Sequence, residues 1–133
     1  MAQDLLVGEQ LSSDMIESGA RLVAALDKLN VVVKGAFWLL MQEHVWRLFV
    51  ASPEARTVGP KALSRKIRSA NSKVASPAST VSTADISVID DKAPLYGLLR
   101  STIQTGPGIS GIRFSRNVIN GQLIEDAYLY RLT

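Results

Sequence analysis

The chain lacks cysteine and contains a single histidine, His44. Without cysteine there can be no disulfide, no thiolate ligand for a metal and no thiol nucleophile. One histidine cannot form a multi-histidine metal site, and no serine lies in the glycine-flanked turn between strand and helix that marks a hydrolase nucleophile. We therefore expect a protein without catalytic residues, without a metal site and without a cofactor.

Long apolar runs are also missing. The most apolar stretch is VVVKGAFWLLM, residues 31–41, which is interrupted by Lys34. It is well short of the roughly 20 residues that a membrane helix needs. The first ten residues carry acids where an export signal has a basic region followed by an apolar stretch. We expect a cytoplasmic protein with no membrane partner, and the absence of cysteine fits a reducing compartment.

Acidic residues are absent from residues 55–84. Six of the 15 bases and none of the 12 acids lie there, so this segment carries +6 and the rest of the chain −3. Within it, GPKALSRKIRSAN, residues 59–71, predicts a short helix with Pro60 in its first turn, apolar on one side and basic on the other. The bases that could contact phosphates are Lys61, Arg65, Lys66, Arg68 and Lys73.

The length and composition of the whole chain predict one domain. The chain has 133 residues, of which 47% are apolar and 20% charged, which is typical of a folded domain with one core. Residues 72–83 are rich in serine, threonine and alanine with one proline, which predicts a flexible linker. We expect a single domain over residues 1–133, with no internal repeat.

The first regular element is an amphipathic helix. Apolar residues recur at spacings of three and four between Ser13 and Leu29, and charged residues fall opposite them. Asp14 and the two serines before it supply capping groups and negative charge at the N-terminal end, where free N–H groups and the helix dipole favour them. A structural helix accounts for this whole stretch.

Residues 31–51 predict a hairpin, because they contain two stretches rich in β-branched and aromatic residues. We place Met41 opposite Trp46. In that register Trp38 and Phe49 share a face with several charged residues, and this face carries more apolar surface than a solvated one usually shows. We expect either a helix of the same chain or a second subunit to cover it.

Three more elements complete the prediction. Apolar and polar residues alternate over residues 84–90, which indicates a strand, and residues 91–106 indicate a helix that ends at glycine. Residues 112–131 form a second hairpin, because Asn120-Gly121 favours a type I′ turn. The order α-β-β-α-β-α-β-β predicts an α+β domain whose helices pack on one side of a mostly antiparallel sheet of about five strands.

The Asn120-Gly121 turn also predicts which residues of the second hairpin share a face. One face is core and includes Arg116 and Glu125 as an opposed ion pair. Its apolar members are Ile112, Phe114, Val118, Leu123, Ala127 and Leu129. The opposite face is a candidate binding surface, because arginine and tyrosine combine rigid contact area with hydrogen bonding. That surface comprises Arg113, Ser115, Asp126, Tyr128 and Tyr130, together with Trp38 and Phe49 of the first hairpin.

Two short motifs have structural explanations. GPGISG, residues 106–111, follows a helix and precedes a strand, the reverse of the order in phosphate-binding loops. Asp90-Asp91-Lys92 has the spacing of some Mg²⁺-dependent nucleases, but no second carboxylate is predicted on a neighbouring strand. Acids before a helix are explained by the helix dipole.

Two functions are expected from these surfaces. The first is a non-enzymatic protein-interaction or structural module that self-associates through sheet surface, most simply as a homodimer. The alternative is a low-specificity nucleic-acid-binding protein that uses the basic residues between 56 and 73. We prefer the first, because the net charge of +3 is modest and the basic segment has no aromatic residue on which a base could stack.

Overall fold

A five-stranded mixed sheet lies at the centre of the computed structural model, which describes residues 10–42, 44–74 and 81–133. Its strands are β1 (Gly35–Leu40), β2 (Trp46–Ala51), β3 (Ile86–Ile89), β4 (Ile112–Ile119) and β5 (Gln122–Leu132). Their order across the sheet is β3-β2-β1-β5-β4. Strands β2 and β3 run parallel, and the other neighbouring pairs run antiparallel. The sheet is therefore mostly antiparallel, as predicted.

Helices cover this sheet. The described residues form α1 (Ser13–Lys28), α2 (Glu54–Thr57), α3 (Pro60–Val74), α4 (Pro94–Arg100) and a 3₁₀ turn at Thr83–Asp85. The α+β class and the element order are confirmed, with α2 as a short addition. The two long helices, α1 and α3, share one face of the sheet as expected. The short helix α4 packs on the opposite face, so the one-sided arrangement holds for the long helices alone.

Helix α1 begins where the capping residues predicted it. The Ser12 side-chain oxygen accepts a hydrogen bond from the Met15 N–H at 3.1 Å, which satisfies one of the free N–H groups of the first turn. The three- and four-residue spacing along the helix places Leu22, Val23 and Leu26 against the sheet, where they are fully buried. The predicted amphipathic pattern is the one that the fold uses.

The first hairpin has a different register from the predicted one. Leu40, not Met41, lies opposite Trp46, and the turn between them contains His44 in a left-handed conformation with φ of 61°. The predicted register was wrong by one residue. Alternation fixes a register only where one face is polar, and here both faces of the hairpin are buried.

Each face of the sheet has its own core. Trp38 faces α1 and α3, and its indole N–H donates to the Tyr130 hydroxyl at 3.0 Å. Phe37 and Phe49 lie on the other face, with stacked rings whose centroids are 5.5 Å apart, in the core that includes α4. Helices of the same chain are therefore the cover that the apolar hairpin faces required.

The second hairpin has the predicted pairing but not the predicted faces. Asn120 and Gly121 both have positive φ, 49° and 80°, as a type I′ turn requires. Arg116, however, is left-handed with φ of 48°, and the alternation of side chains changes there. Beyond it Val118 and Leu123, predicted to be core, are 67% and 57% exposed, whereas the neighbouring isoleucines are buried. Glu125 is not paired with Arg116 in the ladder.

The structure describes residues 72–74 and 81–83 of the predicted linker. Residues 72–74 continue α3, which extends beyond its predicted end. Val81 is buried, and its carbonyl accepts a hydrogen bond from the buried Asn71 side-chain amide at 2.7 Å. Residues 75–80 of the predicted linker lie outside the described residues.

An ion pair between a buried arginine and an exposed acid joins distant parts of the chain. The Arg131 guanidinium on β5 donates to both carboxylate oxygens of Asp27 on α1, at 2.9 and 2.8 Å. It also donates to the carbonyls of Val33 and Gly108. The Arg131 side chain is 5% exposed and that of Asp27 is 42% exposed, so water reaches only the acid. This contact fixes the GPGISG loop against α1 and β5, which is a structural role for that loop.

Candidate functional site

A row of bases, which we call the basic ridge, follows the outer side of α3. It consists of Lys61, Arg65 and Arg68, whose spacings of four and three residues place them on one side of the helix. All three are exposed, and the side of α3 opposite to them is buried against the sheet. Arg68 lies seven positions after Lys61 along the helix, a rise of about 10 Å. The ridge therefore faces solvent directly.

Two of the six bases between residues 55 and 84, Arg56 and Lys66, are neutralised by acids. Arg56 on α2 forms ion pairs with Asp90 and Asp91, at 2.5 and 3.0 Å. Lys66 donates to Glu54 at 2.9 Å. The pKa of Glu54 lies below its ordinary value because its carboxylate accepts hydrogen bonds from the Val32 N–H and from Lys66. These pairs hold α2 and α3 in place and remove two cations from the available charge.

Four bases of α3 stay unneutralised. Lys61, Arg65, Arg68 and Lys73 form no ion pair or hydrogen bond with any residue that the structure describes. Because no acid lies between residues 55 and 84, the ordinary partners at three- and four-residue spacing are missing along the helix. The result is four exposed cations on one helix without an acidic partner among the described residues.

A small cleft opens beside the basic ridge, between α3 and β3. It has a volume of about 140 Å³. Its lining residues are Ser64, Ile67 and Arg68 of α3, Thr83 of the 3₁₀ turn, and Ile86 and Val88 of β3. Arg68 thus belongs both to the ridge and to the rim of the cleft. The sequence pattern gave no signal for this cleft, because it depends on β3 lying next to β2 under α3.

The candidate surface on the second hairpin is only partly assembled. Arg113 donates two hydrogen bonds to the carboxylate of Asp126, at 2.7 and 2.5 Å, and the Ser115 hydroxyl donates to the same acid at 2.7 Å. The Arg113 guanidinium also lies 5.5 Å from the ring centre of Trp46. Burial opposes the charge of Asp126, but the hydrogen bonds from Arg113 and Ser115 outweigh it and hold its pKa below the ordinary value. Their polar groups are satisfied within the chain.

The aromatic members of that candidate surface are not at the surface. Trp38, Phe49 and Tyr130 are buried in the two cores, and Tyr128 is half-buried with its ring edge-on to Tyr130 at 5.4 Å. They offer little contact area to a partner. The exposed apolar side chains of this hairpin are instead Val118 and Leu123, which lie opposite each other near the turn.

Two further kinds of site, a metal-binding cluster and a membrane-spanning helix, can be checked against the described residues. Over residues 10–42, 44–74 and 81–133, no group of three or more metal-binding side chains comes together. Asp90 and Asp91 of the nuclease-like motif are bound by Arg56. Within the same ranges, no helix is both long enough and apolar enough to cross a membrane.

Comparison of the chain with models of known protein families, with curated proteins and with solved structures finds no significant match.

Proposed function

We propose that this protein binds nucleic acid through the phosphate backbone, using the basic ridge together with Lys73. The observation that carries the proposal is the set of four unneutralised cations on one exposed helix. Lysines and arginines that neutralise phosphates displace the cations condensed on the nucleic acid, and this release is the main source of affinity in sequence-independent binding. The neutralised Arg56 and Lys66 show that acids are within reach of neighbouring bases but not of these four.

Nucleic acid suits this surface better than an anionic membrane. A helix that binds a membrane inserts its apolar side between lipids, with bases on the polar side. The apolar side of α3, with Leu63 and Ile67, is already buried in the core. The exposed side of α3 therefore offers only basic side chains and the serines between them, and these polar groups match the phosphates of a nucleic-acid strand. Since phosphate contacts carry no sequence information, we expect low sequence specificity.

Salt dependence measures the number of phosphates contacted. For four contacts with a single strand, the logarithm of the affinity should fall against the logarithm of salt concentration with a slope of about −3. The measurement is fluorescence anisotropy of labelled mixed-sequence DNA and RNA, single- and double-stranded, over a series of salt concentrations. A slope near zero would contradict a phosphate-backbone mode.

A pair of charge-matched variants locates the surface. The double variant Arg65→Glu, Arg68→Glu reverses the centre of the basic ridge and should abolish binding. The control, Lys34→Glu with Lys92→Glu, makes the same change in net charge at two exposed lysines outside α3 and should retain most of the affinity. If both variants lose the same amount of affinity, the effect comes from overall charge, and the basic ridge is not the contact surface. Binding of the wild type to anionic vesicles but not to nucleic acid would overturn the proposed ligand.

Self-association is a second candidate function, and we propose the outer end of the β4–β5 hairpin as its contact. Val118 and Leu123 form an exposed apolar pair there. Arg116 and Glu125 flank them, both exposed and neither in an ion pair with a described residue. In a two-fold arrangement the arginine of each copy could meet the glutamate of the other, which makes the surface self-complementary. This replaces the buried aromatic residues as the expected dimer contact.

Sedimentation velocity tests the self-association. We expect a dimer whose dissociation constant rises at least about tenfold in the variant Val118→Ser, Leu123→Ser, since apolar contacts at an interface centre dominate its affinity. Val32 and Val58 are likewise exposed and serve as control positions for Val→Ser changes. A wild-type monomer at all concentrations would exclude this candidate without affecting the nucleic-acid proposal.

A further inference from the structure

We propose that the cleft between α3 and β3 receives one pyrimidine base of a single-stranded nucleic acid whose phosphates follow the basic ridge. The inference rests on the proposed function and adds to it the kind of strand that is bound and the part of a nucleotide that is recognised.

The size of the cleft selects one ring. Its volume is about 140 Å³. A closed protein cavity of about 150 Å³ holds a single benzene molecule, so this open cleft has room for one six-membered ring, and the second ring of a purine would stay outside its mouth. Its inner, apolar wall comes from Ile67, Ile86 and Val88. Ile67 is only 2% exposed, so a flat ring would contact mainly the half-buried Ile86 and Val88. Apolar contact with a base replaces the aromatic stacking that other single-strand binders use.

The rim of the cleft can donate hydrogen bonds to the edge of a base. It carries the hydroxyls of Ser64 and Thr83 and the guanidinium of Arg68. None of these three side chains forms a hydrogen bond with a residue of the described ranges. Thymine and uracil present two carbonyl oxygens that accept hydrogen bonds from these side chains and a ring N–H that donates to a hydroxyl oxygen, and in a single strand this edge is free. Donors beside an apolar wall are the combination that fixes a base in one orientation.

The position of the cleft explains why the strand must be single. Arg68 lies on both the ridge and the rim, so a strand whose phosphates contact Lys61 and Arg65 passes the mouth of the cleft. In a duplex the base edges are paired and stacked, and a base would have to be extruded before it could enter. We therefore expect single strands to bind more tightly than duplexes of the same length.

The test compares oligomers of thymidylate and adenylate, as DNA, by fluorescence anisotropy at one salt concentration. We expect wild type to bind the thymidylate oligomer about tenfold more tightly. Part of such a preference can come from the flexibility of the strand, so a variant that fills the cleft is decisive. Ser64→Leu places an aliphatic side chain at the rim and should abolish the preference while leaving the salt slope unchanged.

Ser69→Leu is the matched control, because Ser69 is exposed on the same helix and does not line the cleft. It should keep the preference. Ile86→Phe fills the cleft from its inner wall and serves if Ser64→Leu does not fold. A uridylate RNA oligomer should bind like the thymidylate one. Free thymidine monophosphate at the same nucleotide concentration should bind at least about a hundredfold more weakly, since it lacks the phosphates that follow the ridge.

The outcomes separate the two proposals. Loss of the preference in Ser64→Leu but not in Ser69→Leu supports the base-binding cleft. Equal binding of both oligomers by wild type, with binding still abolished by Arg65→Glu, Arg68→Glu, overturns the cleft and leaves the basic ridge. If the preference for thymidylate persists in both Ser64→Leu and Ile86→Phe, the base does not bind in this cleft. Equal affinity for the free nucleotide overturns the polymer as ligand, and absence of all binding overturns both proposals.

Discussion

Gly19 marks the point at which α1 lies closest to the sheet. A Cβ atom at this position would lie 2.3 Å from the Tyr130 hydroxyl oxygen, far inside van der Waals contact. Tyr130 cannot move away, because its hydroxyl donates to the Ile16 carbonyl at 2.5 Å and accepts from Trp38. The absence of a side chain at Gly19 is therefore what allows helix and sheet to meet at this distance.

Replacing this glycine by alanine should destabilise the protein although alanine favours helices. We expect Gly19→Ala to lower the free energy of unfolding by about 1–3 kcal/mol through overpacking. Gly97→Ala is the control, since Gly97 lies in α4 with no atom within 4 Å of an added Cβ, and it should raise stability by about 0.5–1 kcal/mol. Urea denaturation measures both, and equal effects would contradict the close approach.

The hydroxyl of Tyr130 should also make stability depend on alkaline pH. Burial raises the pKa of Tyr130 well above its ordinary value of 10.0. The folded state therefore keeps a proton that the unfolded chain releases, so stability is complete below pH 10 and falls as pH rises above it. In Tyr130→Phe this fall should be shallower by up to about 1.4 kcal/mol per pH unit. Urea denaturation between pH 9 and pH 11 gives the slopes, and identical slopes in both proteins would count against the burial of this hydroxyl.

At the scale of elements, the change of faces at Arg116 decides which residues of the β4–β5 hairpin matter for stability. Ile119→Ala should cost about 2–4 kcal/mol, because a buried side chain leaves a cavity. Val118→Ala, one position away and two-thirds exposed, should cost less than about 0.5 kcal/mol. Thermal unfolding of the two variants measures the difference. A larger loss of stability in Val118→Ala than in Ile119→Ala would mean that Val118 faces the core, as uninterrupted alternation along β4 predicts.

The elements themselves could largely be predicted from sequence. Helix α1 and the Asn120-Gly121 turn follow from local signals, a one-sided apolar pattern and a pair of residues that accept positive φ. Arg116 could not be predicted, since arginine has no preference for the left-handed region. The register of the first hairpin was also beyond local pattern, because both of its faces are apolar.

One part of the candidate site could be predicted from the sequence, and the other part could not. The basic ridge follows from spacing within one helix, so its residues were identified from the sequence and lie together in the structure. The cleft joins α3 to β3 and the 3₁₀ turn, and that neighbourhood depends on the parallel pairing of β2 with β3. Long-range pairing is not encoded in any local pattern, so the cleft could be found only from the fold.

At the scale of the whole molecule, the Asp27–Arg131 ion pair holds α1 to β5, which lies next to the central strand β1. Asp27→Asn leaves a buried guanidinium without its countercharge, and we expect a loss of about 2–3 kcal/mol of unfolding free energy. Glu17→Gln is the control on the same helix, because it breaks the exposed pair with Arg21 and should cost less than about 0.5 kcal/mol. Urea denaturation, which does not screen charges, compares the two variants, and similar losses would mean that Arg131 is hydrated.

The position of β1 has a consequence for the order of synthesis. One edge of β1 pairs with β2, which the ribosome makes immediately afterwards, and the other pairs with β5, which ends at Leu132. At about 5–20 residues per second, the roughly 80 residues between the ends of β2 and β5 take about 4–16 seconds to emerge. During that interval the nascent chain carries an apolar strand with one open edge. Ribosome-bound chains of this protein are thus expected to recruit chaperones that recognise extended apolar segments, and to release them once β5 has emerged.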